Sequence, residues 1–256
     1  MVFVKSAEEI SLIKEGASIL SSTHGQIARA IKPGVTTKRL DILAEQFIRD
    51  SGGVPSFKGY KKFPATLCTS VNDYVVHGIP SGYVLQEGDI VSVDCGVYYK
   101  GFHSDAAFTY PVGTVSSETM RLLQVTKEAL YCGIDEARVG NRIGDIGYAI
   151  QDHVRRHDYS VVRELVGHGV GRGLHEDPQV PNYGRRGHGM QIRPGMVLAI
   201  EPMINLGTRQ VVQEAGGQFR TLDRKITAHF EHTVAVLKDK PELLTTYKYI
   251  EKVFKF

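Results

Sequence analysis

Residues 91–108 read VSVDCGVYYKGFHSDAAF and embed Asp94 and Asp105 in strand-forming sequence. Val91, Val93 and Val97 are β-branched, Tyr98 and Tyr99 add aromatic rings, and Lys100-Gly101 supplies a residue able to take a positive φ, so the stretch predicts a β-hairpin. With Lys100 and Gly101 as the two loop residues, Asp94 falls opposite Ala107, and Asp105 lies two residues along on the same face, diagonal to Asp94. Two ionised carboxylates this close on an inward face repel each other, and each carries a desolvation cost of several kcal/mol. A bound cation relieves both. The alternative for an isolated hairpin is that one aspartate is a turn or edge residue and the other faces water, so the reading depends on whether the rest of the chain supplies more ligands.

Two further acids lie in strand-like sequence, Glu201 in MVLAIEPMI and Glu231 in AHFEHTVAV. A single buried glutamate is more often paired to an arginine. Four such acids in one chain outnumber what one cation requires, and with one histidine they suit two divalent ions sharing bridging carboxylates. The histidine candidate is His168, in GHGVGRGLHEDP (167–178). The glycines do not form a dinucleotide loop, because Asp177-Pro178 and Pro181-Asn182 forbid the helix that must follow. His175-Glu176 does not begin a zincin motif either, since Gln179 stands where the second histidine is needed. Glycines around His168 instead let backbone and substrate approach the imidazole.

Composition excludes several classes. The chain has 256 residues, 42% hydrophobic and 23% charged, as in an ordinary globular protein with a substantial core. A net charge of +3 without a basic run argues against nucleic acid as the main partner, and leaves ribosome contact open. The three cysteines, Cys68, Cys95 and Cys132, are widely spaced and read as reduced thiols of a cytoplasmic protein. MVFVKSAEEISLIKEG shows neither a signal peptide nor a membrane span.

In chain order, Ser6-Ala7-Glu8-Glu9 is a capping box opening a helix that runs toward Ile31, and Thr36 caps a second helix ended by Gly52-Gly53. Ala65–Val71 is a strand, followed by the hairpin. Ser116 opens a third helix, a fourth follows Val139-Gly140, and strands are expected at 161–170, 196–204 and 228–237. Two helices followed by strands, twice over, predict an α+β chain of two similar halves sharing one curved sheet, with the helices outside, in a single domain spanning residues 1–256. On the strands, His103 shares a face with Asp105, His229 shares a face with Glu231, and His232 points the other way. His24, His153, His157 and His188 read as surface or helix positions.

VNDYVVHGIP (71–80), DIVSVDCGVYYKGFHSDAAFTYPVG (89–113), GHGVGRGLHEDPQVPNYG (167–184), GMVLAIEPMIN (195–205) and AHFEHTVAVL (228–237) together resemble the methionine aminopeptidases of type I, in the family's order and over nearly the whole chain. The resemblance implies the pita-bread fold, a pseudo-twofold arrangement around a curved sheet. It implies a dinuclear centre with Asp94, Asp105, His168, Glu201 and Glu231 as ligands, Asp105 and Glu231 bridging, and His77 and His175 contacting substrate. The short stretch between His175 and Glu201 leaves no room for the insertion of the type II enzymes. Prolidases share the centre but carry an additional N-terminal domain.

The expected activity is removal of the initiator methionine from nascent chains when the second residue is small, by a monomer. Two divalent ions, Mn, Fe(II) or Co alike for such a donor set, would activate a bridging water. Glu201 is expected to serve as general base and then acid, His175 to hydrogen-bond the scissile amide, and His77 to assist at the leaving nitrogen. Tyr60, Phe63 and Cys68 are expected to line the methionine pocket. Leu174 stands where an aromatic residue is common in the family, and no tryptophan is available near Gly217 to Phe219. The rivals are an X-Pro peptidase of the same fold and a non-catalytic relative, which would typically lack ligands.

Overall fold

A computed structural model describes residues 2–254. Helix α1 (Ala7–Ala30) opens on the expected capping box, with the Ser6 hydroxyl accepting from the Glu9 N–H and the Glu9 carboxylate accepting from the Ser6 N–H. Helix α2 (Thr37–Asp50) is capped by Thr36. Strands β1 (Val54–Pro55), β2 (Leu67–Val71) and β3 (Tyr74–Val76) lead to the hairpin of β4 (Ile90–Tyr99) and β5 (Phe102–Pro111). Its turn residues Lys100 and Gly101 have φ of 47° and 91°, as a type I′ turn demands. Asp94 pairs with Ala107 and Gly96 with Asp105, the diagonal arrangement read from the sequence. Strand β4 pairs with β5 along one edge and with β1 and β2 along the other.

The second half begins with α3 (Ser117–Glu136) and α4 (Ile143–Arg155), packed on one another. Strands β6 (Ser160–Val161), β7 (Gly167–Gly169), β8 (Glu176–Val180), β9 (Val197–Ile200) and β10 (Met203–Asn205) follow. After them come β11 (Val211–Gln213), β12 (Phe219–Thr221), β13 (Thr227–His229), β14 (His232–Val236) and β15 (Pro241–Leu243). The single strand expected over 161–170 is two short strands around a bend.

The strands expected over 196–204 and 228–237 are each broken, at Glu201-Pro202 and at Phe230-Glu231. Pro202 has no N–H to return to its partner strand, which interrupts the ladder. The chain then passes from the five-stranded sheet β15-β14-β9-β7-β8 to the three-stranded sheet β13-β10-β6. Ile200 faces His232 and Met203 faces His229, the same register on both sides of the break, so Glu201 falls opposite Glu231. The Phe230 N–H still donates to the Pro202 carbonyl at 3.4 Å.

The one curved sheet that the sequence reading expected is divided into four, and one of these joins the halves directly by pairing β3 with β12. Elsewhere the halves abut along β5 and β13–β14, and two threonines bridge the seam. The Thr109 hydroxyl accepts from the His229 N–H (2.9 Å) and donates to the His229 carbonyl (2.8 Å). The Thr233 hydroxyl does the same for Asp105, at 2.9 and 2.7 Å. Between them the Glu231 N–H donates to the Ala107 carbonyl at 3.0 Å. Helix α1 packs on β4 and β5 and α3 on β9, β10 and β13, so each half covers its own strands with its own helix. The main core fills the space between, from Leu20 and Leu40 through Phe108 to Leu122, Ile150 and Phe230.

Candidate metal centre

The diagonal aspartates of the hairpin and the opposed glutamates of the broken strands meet across the seam. Asp105, His168 and Glu231 each bring one donor atom within 4.8 Å of the others. Nε2 of His168 lies 3.5 Å from a Glu201 oxygen and 4.0 Å from a carboxylate oxygen of Asp105. Its Nδ1 sits 2.9 Å from the Gly169 carbonyl, which requires Nδ1 to carry a proton and aims Nε2 at the acids. Asp94 lines the same cavity. All five residues expected as ligands are therefore brought together.

Electrostatics show what this cluster lacks. Asp94 is raised to about 7 by burial, partly opposed by His229, and by the charge of Glu201. Glu201 is also raised to about 7 by burial, with His168 pulling the other way. Asp105 is pushed well above the carboxylate range by burial and then by Asp94 and Glu201, and Glu231 by burial and then by Asp105, Glu201 and Asp94. No lysine or arginine ranks among the causes of any of these four shifts. Among the described residues, one oxygen each of Asp94, Asp105 and Glu231 is buried without a hydrogen-bond partner. Orphaned buried oxygens of this kind need an explanation, and divalent cations supply it. The donor set of four carboxylates and one imidazole fits such ions.

A cavity of about 610 Å³ opens beside the acids. Tyr60, Phe63 and Cys68 line it as expected, and so do Phe57, Leu174 and Met203. His77 faces this space with φ of 61°, a left-handed backbone uncommon for a non-glycine residue. Its neighbour must be Gly78, since a Cβ there would lie 2.2 Å from the Thr69 carbonyl oxygen. His175 stacks on Tyr60 with ring centres 5.3 Å apart, and the Tyr60 hydroxyl is 3.1 Å from its Nδ1. Although His175 is solvent-accessible, partial desolvation in the cavity and then the charge of His168 lower its pKa, so it is neutral at neutral pH.

Of the remaining histidines, His229 does reach the cluster, with Nε2 3.5 Å from Glu201. His232 turns away to bond Thr245 at 2.7 Å, and His103 bonds Ser56 at 2.9 Å. His24 is a helix position, as read, but not an exposed one. It is buried, with its ring nitrogens on the Tyr110 hydroxyl and the Ala106 carbonyl, because it lies on the face of α1 that covers β5. The sequence reading passed over Thr109, Thr233, Tyr247 and Asn182, which hold the backbone of the site. Asn182 donates to the Glu201 carbonyl at 2.9 Å, and the Tyr247 hydroxyl donates among the Glu231 and Ala107 carbonyls, 2.8 Å from each. Only inward parity marked the threonines in sequence, and nothing marked the other two.

A family model described as "Metallopeptidase family M24" matches residues 11–238. The chain is 49% identical over 249 residues to a methionine aminopeptidase of Clostridium perfringens, covering 97% of this chain and 100% of that one. Methionine aminopeptidase 1 of Bacillus subtilis is 48% identical over 246 residues, covering 96% and 99%. The crystal structure of methionine aminopeptidase from Rickettsia prowazekii superposes with a TM-score of 0.95 at 39% identity, covering 96% of this chain and 100% of that one. A buried acid cluster without a cationic partner is what a metallopeptidase requires, and these relatives extend over nearly the full length, so the chain belongs to metallopeptidase family M24, among its methionine aminopeptidases.

Proposed function

We propose that this enzyme removes the N-terminal methionine from nascent proteins whose second residue is small. Four buried carboxylates without a cationic partner, opening on an apolar cavity, carry the reading. Asp94, Asp105, His168, Glu201 and Glu231 would hold two divalent ions, Mn, Fe(II) or Co, with Asp105 and Glu231 shared. When bound, these ions supply Lewis acidity and a nucleophile at neutral pH. The chain acts as one catalytic domain and as a monomer in the cytoplasm, and its mild positive charge is compatible with ribosome contact. No helix among the described residues is long and apolar enough to cross a membrane.

The chain's own groups divide the remaining work. Glu201 receives the proton released on attack and returns it to the leaving amine. Neutral His175 has one N–H to offer. With the Tyr60 hydroxyl donating to Nδ1, that N–H is on Nε2, directed at the oxygen on which charge develops. His77, held by its left-handed backbone, assists at the leaving nitrogen. The methionine side chain, an unbranched thioether, fills the space among Tyr60, Phe63, Cys68 and Leu174.

The following residue must pass between His168, Leu174 and His175, which line the cavity beside the acids. Met-Ala-Ser should therefore be cleaved, while Met-Lys-Ser and Ala-Pro peptides should not. Steady-state assays of the three peptides test this, and equal cleavage of Met-Ala-Ser and Met-Lys-Ser would reject the crowded site.

A further inference from the structure

Just past the hairpin in sequence, α3 and α4 bring together a second set of donors that the catalytic reading does not use. Glu128 of α3, His153 of α4 and His157 just beyond it each place one donor atom within 4.8 Å of the others. His153 and His157 are one helical turn apart, the i, i+4 spacing by which two imidazoles on one helix face grip an ion. Their ring centres are 5.0 Å apart. His157 keeps this alignment because the chain stays helical through Arg156, and the closing turn, with Asp158 at φ 61°, comes only afterwards.

The Glu128–His153 contact is not an ordinary hydrogen bond. Nε2 of His153 is 3.2 Å from a Glu128 oxygen, yet that nitrogen is buried and has no hydrogen-bond partner among the described residues, so the carboxylate lies off the N–H direction. Two donors bound at about 2.0–2.1 Å to one tetrahedral ion lie about 3.3 Å apart, which matches this separation. The other Glu128 oxygen accepts from Gln124 at 2.9 Å, which aims the carboxylate as outer hydrogen bonds aim metal ligands. The carbonyl end of α4 adds partial negative charge. Arg156, next to His157, is engaged by Asp152, and Lys127, next to Glu128, by Glu251.

We infer that Glu128, His153 and His157 form a second metal site on the outer face of the helix pair, which takes a late first-row divalent ion such as Zn²⁺, with water completing the shell. Two imidazoles and one carboxylate favour Zn²⁺, Ni²⁺ or Cu²⁺. The ion ties α3 to the end of α4. The catalytic acids, with four carboxylates to one imidazole, make the harder site, so the two are separable by metal.

Zn²⁺ is the probe. Enzyme held in excess Mn²⁺ should take up one equivalent of Zn²⁺ at micromolar concentration beyond any that replaces Mn²⁺, and its melting temperature should rise. His157→Ala, a half-buried position in a turn, should lose that equivalent and that rise while Met-Ala-Ser turnover stays within about twofold of the parent. Glu128→Gln should weaken binding in the same assay with the fold intact. In Asp105→Ala, where the catalytic centre is crippled, one Zn²⁺ equivalent should remain and should vanish when His157→Ala is added. Equal Zn²⁺ uptake and equal melting shifts in the parent and in His157→Ala would overturn the inference, and so would Zn²⁺ entering only in exchange for Mn²⁺.

Discussion

The two halves of the molecule solve the same problem differently. In the first, an uninterrupted hairpin places its acids on a diagonal, Asp94 facing Ala107 and Asp105 facing Gly96. In the second, strands remote in sequence break at Glu201-Pro202 and Phe230-Glu231, and the acids sit directly opposite one another. A regular pleat can carry two carboxylates only if they are staggered. Direct opposition of glutamates is found where the ladder is already broken and both side chains turn to a common point. The aspartate half is therefore positioned by its turn, and the glutamate half by what packs around the break.

The largest expected effect tests whether the halves are equal partners in holding metal. Asp105→Ala and Glu231→Ala should each lower turnover by about 10³-fold, roughly 4 kcal/mol, with loss of at least one ion by metal analysis. Two ions retained with near-normal turnover in either variant would remove that half from the centre.

Next in size is the separation of ligand from substrate contact within the glycine-rich segment. His168→Ala should lose metal along with activity. His175→Ala should keep its metal and lose about 10²-fold in kcat, near 3 kcal/mol of transition-state stabilisation. A His175→Ala protein that sheds an ion, or keeps its kcat, breaks this division.

The third expectation concerns metal-free protein. All four acids have folded pKa values raised above their unfolded ones, so the folded state holds protons that the unfolded state has released, and stability falls as pH rises. Between about pH 6.5 and 8.5 the loss is about 1.4 kcal/mol per pH unit for each carboxyl still protonated, Asp94 and Glu201 releasing their protons near 7. His24 and His232, depressed to about 4 and about 3 by burial, are neutral in both states through most of that window and contribute little. Chemical denaturation at the two pH values, with and without Mn²⁺, reads this directly. A metal-free protein equally stable at both would show that the acids do not repel.

The seam gives the smallest effect and the closest comparison. Thr109→Val and Thr233→Val each leave a buried N–H and carbonyl without the bridging hydroxyl, and each should cost about 1–3 kcal/mol of stability. Only Thr233→Val should also weaken metal binding, by about 10-fold, because it loosens Asp105 whereas Thr109 holds His229. Equal metal loss in both would mean that His229 belongs among the ligands.

How much could be read in advance follows the same division. The hairpin register was legible because a two-residue turn fixes it locally, and the helices because their caps are local too. The opposition of Glu201 and Glu231 was not, since thirty residues of chain separate them and Pro202 hides the break inside an apolar run. The burial of His24 was not legible because α1 is apolar over a wide arc, and sequence does not reveal which polar residue on it meets Tyr110. The threonine seam was invisible because it joins two edges by side chains, which no strand pattern encodes.

The Lys5 ammonium, buried against the Glu176 carboxylate at 2.5 Å, reaches across 171 positions of sequence. Glu176 also accepts from the Gly173 N–H at 2.9 Å, and the Lys5 N–H bonds the Gly195 carbonyl at 2.8 Å, so the segment carrying His175 is fastened to residues made long before it. On a translating ribosome this clasp cannot close until residues beyond position 195 have left the exit tunnel. Contacts of such long range form late in folding. The part of the site that would meet substrate is thus among the last to become rigid, and until then Lys5 waits in water with its charge unburied.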